Sequence, residues 1–98
     1  MATLRSADYK APEGKLVRVR LTEENGEILS LRLSGDFFLV PEENLGKLEK
    51  MLIGAPLREP ELQMLVDRFF NATRVQSLGV TRVDLVKALL AAREGPDY

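Results

Sequence analysis

The sequence predicts an α+β fold, a small antiparallel three-stranded sheet followed by three helices packed on one face. Two observations predict that order. Between Leu16 and Leu33 apolar residues recur at every second position, whereas from Leu45 to Leu90 they recur at helical spacing between proline, glycine and capping signals. With 98 residues, 45% of them hydrophobic, the chain can build one core and is read as a single domain over 1–98, with loose ends expected at about 1–8 and 95–98.

In the first strand Val17, Val19 and Leu21 alternate with Arg18 and Arg20, and after the turn Leu29, Leu31 and Leu33 alternate with Ser30, Arg32 and Ser34. Asn25-Gly26 favours a two-residue hairpin loop, but that register sets Val19 opposite Arg32 and Arg20 opposite Leu31, mixing the faces. A three-residue loop, Glu24-Asn25-Gly26, keeps them apart by pairing Leu21 with Leu29, Val19 with Leu31 and Val17 with Leu33. All six apolar side chains are then expected on one face. The same register puts Arg18 across from Arg32 and Arg20 across from Ser30. Like charges directly opposite destabilise a sheet. The basic face is therefore either solvated and neutralised by the chain's own acids, or it receives an anionic group such as a phosphate or a partner's acidic surface.

Ser34-Gly35-Asp36 supplies the next turn, and Phe37 to Val40 reads as a short third strand with two apolar faces. One face is expected to meet the core; the other is covered by a helix or left open for docking. Pro41 at a first helical position, followed by Glu42 and Glu43, opens a helix that Gly54 stops, with Leu45, Leu48, Met51 and Leu52 as its stripe. Ala55-Pro56 and Pro60 frame a connector to a second helix, which buries Leu62, Leu65, Val66, Phe69 and Phe70. Asn71 to Leu78 is expected to be a loop. Thr81 as N-cap, Asp84 three residues on, and Val80 stapled to Leu85 open the third helix, whose stripe is Leu85, Val86, Leu89 and Leu90 before Gly95.

The residues missing from the chain exclude several function classes. There is no His, Cys or Trp, so the usual general base, thiol nucleophile and zinc or iron-sulfur ligands are absent, and unaided catalysis is not expected. A net charge of -1 implies neither nucleic acid nor a membrane as partner, and no apolar run is long enough to span a bilayer. The first residues lack the apolar segment of a signal peptide, which makes the cytoplasm the expected compartment. Charge is uneven along the chain: residues 1–20 carry Arg5, Lys10, Lys15, Arg18 and Arg20 against Asp8 and Glu13, while acids dominate 21–60.

Taken together, Gly14-Lys15-Leu16-Val17, the strand pair, Gly35-Asp36-Phe37-Phe38-Leu39, Pro41-Glu42 and Gly79-Val80-Thr81-x-x-Asp84-Leu85 resemble the C-terminal accessory domain of lipoate-protein ligases. The resemblance covers nearly the whole chain. Its most specific part is the order and spacing of the Gly14-Lys15-Leu16 and Gly35-Asp36-Phe37-Phe38 blocks. A departure is Ala11-Pro12-Glu13-Gly14, where the family often has a second glycine before the Gly-Lys pair. In the bipartite form of the family this domain is a separate small subunit beside a larger catalytic one.

The resemblance implies a heterodimer in which the large subunit binds lipoate, ATP and Mg, forms lipoyl-adenylate, and passes the lipoyl group to a lysine of an acceptor lipoyl domain. The accessory chain would bind no cofactor alone and would be needed mainly for adenylate formation. Candidate residues facing the partner or the nucleotide are Gly14, Lys15, Arg18, Arg20, Arg32, Gly35, Asp36, Phe37 and Phe38. Lys15, beside a glycine that admits close approach, either meets the large subunit or a nucleotide phosphate, or is an ordinary solvated lysine. Asp36 is expected to close its turn through an Asx hydrogen bond. Two other classes stay open: a self-associating adaptor, and a scaffold of the sulfur-transfer type, whose reactive cysteine has no counterpart here.

Overall fold

The computed structural model describes residues 2–12 and 14–95. Strands β1 (Thr3–Lys10), β2 (Leu16–Glu24) and β3 (Glu27–Gly35) form an antiparallel sheet in the order β1-β2-β3. Then come β4 (Phe38–Val40), α1 (Asn44–Met51), α2 (Glu59–Thr73), β5 (Gln76–Leu78) and α3 (Arg82–Arg93). The α+β class stands as expected, with a three-stranded sheet and three helices, but the membership of the sheet differs.

The segment expected to be loose over 1–8 is an edge strand from Thr3 onward. Its apolar alternation is weak because Arg5 occupies an inward position beside Ala7 and Tyr9, opposite Leu21. That guanidinium is satisfied there by the Glu23 carboxylate at 3.3 Å and the Gly95 carbonyl at 3.0 Å. Beyond Gly95, the expected loose end at 96–98 lies outside the described residues. Phe38–Val40, expected as the third strand of the main sheet, instead pairs with β5 in a separate two-stranded sheet, Phe38 facing Leu78 and Val40 facing Gln76. The stretch expected as a loop over 71–78 is thus divided. α2 runs on to Thr73, Arg74 caps it in the left-handed region (φ 53°), Val75 is buried and β5 follows.

The hairpin resolves its conflict of register in a way the alternation alone did not suggest. Asn25 and Gly26 form the two-residue loop after all, both at positive φ (55° and 78°), and Glu24 faces Glu27 and Glu23 faces Ile28. A β-bulge then inserts Leu29, so that Thr22 faces Ser30, Leu21 faces Leu31 and Val19 faces Leu33. Ile28 is fully buried and Leu29 is exposed, so the inward set is Val17, Val19, Leu21, Ile28, Leu31 and Leu33. Arg20, not Arg18, consequently lies across from Arg32.

α1 also starts later than its proline. Pro41, Glu42 and Glu43 make a turn, and the buried Asn44 donates both its main-chain N–H (3.1 Å) and its side-chain amide (3.0 Å) to the Pro41 carbonyl. α3 covers β1 and β2, α2 packs on α3, and α1 leans on β3 and β4. The Leu and Val stripes of all three helices close over the sheet, with Leu48, Leu52, Leu62, Val66, Leu85, Val86 and Leu89 fully buried. The free edge of β3 is occupied too. Ile28 N–H donates to the Ala55 carbonyl (3.0 Å), Gly54 N–H donates to the Ile28 carbonyl (2.7 Å), and Leu33 N–H donates to the Glu49 carboxylate (2.7 Å). Among the described residues no helix is long and apolar enough to cross a membrane.

The bulged register predicts opposite outcomes at adjacent leucine and isoleucine positions. Ile28→Ala is expected to lower stability by about 2–5 kcal/mol, and Leu29→Ala to change it by less than about 0.5 kcal/mol, both read from urea unfolding midpoints.

Candidate functional site

Three connections meet at one end of the molecule. The β1–β2 connection is tight, with Ala11 N–H donating to the Lys15 carbonyl and Gly14 N–H to the Ala11 carbonyl, each at 2.8 Å, and Gly14 at φ 88°. In the β3–β4 connection, Asp36 N–H donates to the Leu16 carbonyl at 3.0 Å. The turn is thus held by the main chain of Asp36 and not by its carboxylate, the closure expected from the sequence. Gly35 sits at φ 139°, where a Cβ would overlap the Leu16 carbonyl oxygen, so this crossing accepts only glycine.

The β5–α3 connection completes the corner. A Cβ on Gly79 would stand 3.3 Å from Lys15 Cγ, 3.5 Å from the Asp36 carbonyl oxygen and 3.6 Å from Phe37 Cα. The stem of Lys15 therefore lies along Gly79 while the residue as a whole stays exposed. The structure thus brings Gly14, Lys15, Gly35, Asp36 and Phe37 together. Gly79 is the member that sequence reading did not single out; its signal was its place in the Gly79-Val80-Thr81 run. Phe37 and Phe38 part company here, Phe37 entering the core with Leu39 and Phe38 facing outward beside Leu78.

The arginines lie elsewhere, on the outer face of the three-stranded sheet. Arg18 is paired with Asp8 of β1 at 3.1 Å, a partner invisible until β1 is recognised as a strand. Arg20 stands between Ser6 and Arg32, and Thr22 shares a 2.7 Å hydrogen bond with Ser30. Of the two readings left open for this face, its own acid accounts for Arg18.

Beside the corner is a cavity of about 490 Å³ lined in part by Ala11, Pro12, Ser77, Gly79, Thr81 and Lys87. One wall is the first turn of α3, closed by the expected capping box: Asp84 N–H donates to Thr81 Oγ1 (3.1 Å) and Thr81 N–H donates to Asp84 Oδ2 (2.9 Å). The buried Asp84 carboxylate is thereby committed to structure. Among the described residues no group of three or more His, Cys, Asp or Glu side chains is gathered to hold a metal ion.

No protein-family model matches the sequence. The chain is 34% identical over 89 residues to lipoate-protein ligase A subunit 2 of Thermoplasma acidophilum, a match that spans 91% of this chain and 90% of that protein. Its fold is similar, with a TM-score of 0.79 and 32% identity over 91% of this chain and 97% of the other, to a chain solved in work on an archaeal lipoylation system. That system is described as a bi-partite lipoate protein ligase and its E2 lipoyl domain from Thermoplasma acidophilum.

The corner's dependence on Gly79 is measurable. Gly79→Ala is expected to cost about 1–3 kcal/mol, because φ of 98° strains any side chain and the new methyl presses on Lys15. Gly46→Ala, inside α1 with open space around it, is expected to be neutral or to stabilise by up to about 1 kcal/mol. Thermal unfolding of the two variants provides the comparison.

Proposed function

The chain belongs to the family of lipoate-protein ligase accessory subunits, and from that premise we propose that it pairs one to one with a large catalytic subunit and is required there for ATP-dependent activation of lipoate. The observation that carries this reading is likeness along nearly the full length of both chains, in sequence and in fold. The complex would convert lipoate and ATP to lipoyl-adenylate, with pyrophosphate leaving, and pass the lipoyl group to a lysine of an acceptor lipoyl domain. The chain itself carries no His and no Cys, which suits a part that positions and neutralises while the reacting groups bind elsewhere.

The corner fits such a part. It presents the exposed Lys15, a cation suited to touching a phosphate or an acid from outside. In this proposal ATP, Mg and lipoate bind in the assembled complex. Gly79 lies against the lysine stem, and the ammonium would meet negative charge on the bound nucleotide or on the large subunit beside it.

The experiment separates the two half-reactions in the reconstituted complex. Lys15→Ala is expected to slow adenylate formation by about 10-fold or more, in line with loss of a charge-assisted hydrogen bond, while leaving transfer from preformed lipoyl-adenylate unchanged. Pyrophosphate release reads the first step and acceptor-domain mass the second. Equal loss in both, or in neither, rejects the role.

A further inference from the structure

We infer that the large catalytic subunit docks on the outer face of the β4–β5 pair, with Phe38 and Leu78 as its apolar anchors, and not on the arginine-bearing face of the three-stranded sheet. The inference rests on the heterodimer reading above and adds to it the surface used.

Phe38 and Leu78 are direct cross-strand partners, and Val40 lies on the same side one step along β4. They are 65%, 51% and 44% exposed, whereas Leu39, on the other side of β4, and Phe37, just before the strand, are buried. Among the described residues the other exposed large apolar side chains are Leu4 on β1, Leu29 on β3, Ile53 after α1, Met64 on α2 and Val83 on α3, of which Val83 shares the cavity beside the corner with Ser77 and Gly79. Scattered apolar side chains are ordinary on a protein surface, but a contiguous apolar patch that carries an aromatic marks an interaction site.

Two surfaces of the main sheet are engaged within the chain. Helices cover the inner face of the main sheet, and the 54–55 segment with Glu49 occupies the edge of β3. The outer face carries the Asp8–Arg18 pair and the Thr22–Ser30 hydrogen bond, polar groups that would have to be desolvated on docking.

The apolar face is also continuous with the corner that the proposed role needs. Phe37, adjacent to Phe38, is the residue whose Cα approaches Gly79, and Lys15 lies against the same glycine. Docking on Phe38 and Leu78 therefore brings Lys15 to the rim of the interface, where it can reach a group held by the partner. At the far end of β4 the rim is acidic, with Glu42 and Glu43 exposed just after Val40 and Pro41. The partner surface that fits is an apolar depression with basic residues facing Glu42 and Glu43 and negative charge facing Lys15.

The test is the affinity of the full chain for the large catalytic subunit, measured by isothermal titration calorimetry. Phe38→Asp and Leu78→Asp are each expected to weaken binding by at least about 10-fold, whereas Met64→Asp on α2 and Arg32→Glu on the sheet change it by less than about twofold. Circular dichroism checks folding, and Phe38→Ala replaces the aspartate variant if that one unfolds. Unchanged binding by a folded Phe38 variant, or a larger loss with Arg32→Glu, overturns the docking face alone. If the wild-type chain fails to bind the subunit, the heterodimer reading falls as well. A homodimer in sedimentation that Phe38→Asp dissolves assigns the face to a second copy and also overturns the inference.

Discussion

The passage of Gly35 beneath the carbonyl of Leu16 is the constraint on which the rest of the molecule's working end depends. No residue with a Cβ fits there, and the contact locks the exit of β3 onto the entry of β2 through the Asp36 to Leu16 hydrogen bond. Because the chain leaves the main sheet at that point, Phe38–Val40 is released to pair with Gln76–Leu78. The same turn sets Asp36 and Phe37 against Gly79, and Gly79 against the stem of Lys15. A single close approach of backbone to backbone thus organises the lysine corner and the apolar face next to it.

What was legible in the sequence follows from how local each signal is. The three helices have stripes and stops that a short window contains, and the Thr81–Asp84 capping box forms as its spacing implies. The apolar residues of β2 point inward as their alternation says. Two local signals failed, the helix start at Pro41 and the Asx closure at Asp36, and the larger misreadings depend on distant partners. β1 hides because Arg5 breaks its apolar pattern and becomes tolerable only through Glu23 and the end of α3. The bulge at Leu29 is a second solution to the clash between an Asn-Gly turn and the facing pattern, and only the burial of Ile28 against helices decides between solutions. β5 is three residues long, too short to show a period.

The candidate site was legible in part for the same reason. The two glycine-bearing blocks at Gly14-Lys15 and Gly35-Asp36 are far apart in sequence, yet the β2–β3 hairpin returns them to one end of the sheet. Their contact with Gly79 needed the β4–β5 pairing, which no window around either block reveals. The arginines, grouped with them on charge alone, separate because strand alternation sends them to the outer face, where β1 supplies an acid for Arg18.

In the proposed role this chain completes a catalytic partner without reacting itself. The most direct measurement of that role is the rate of lipoate-dependent pyrophosphate release by the large catalytic subunit as this chain is added. The rate should be near background without it and should rise to a plateau at a one-to-one molar ratio. Full activity of the large subunit alone, or no response to the added chain, would contradict the account.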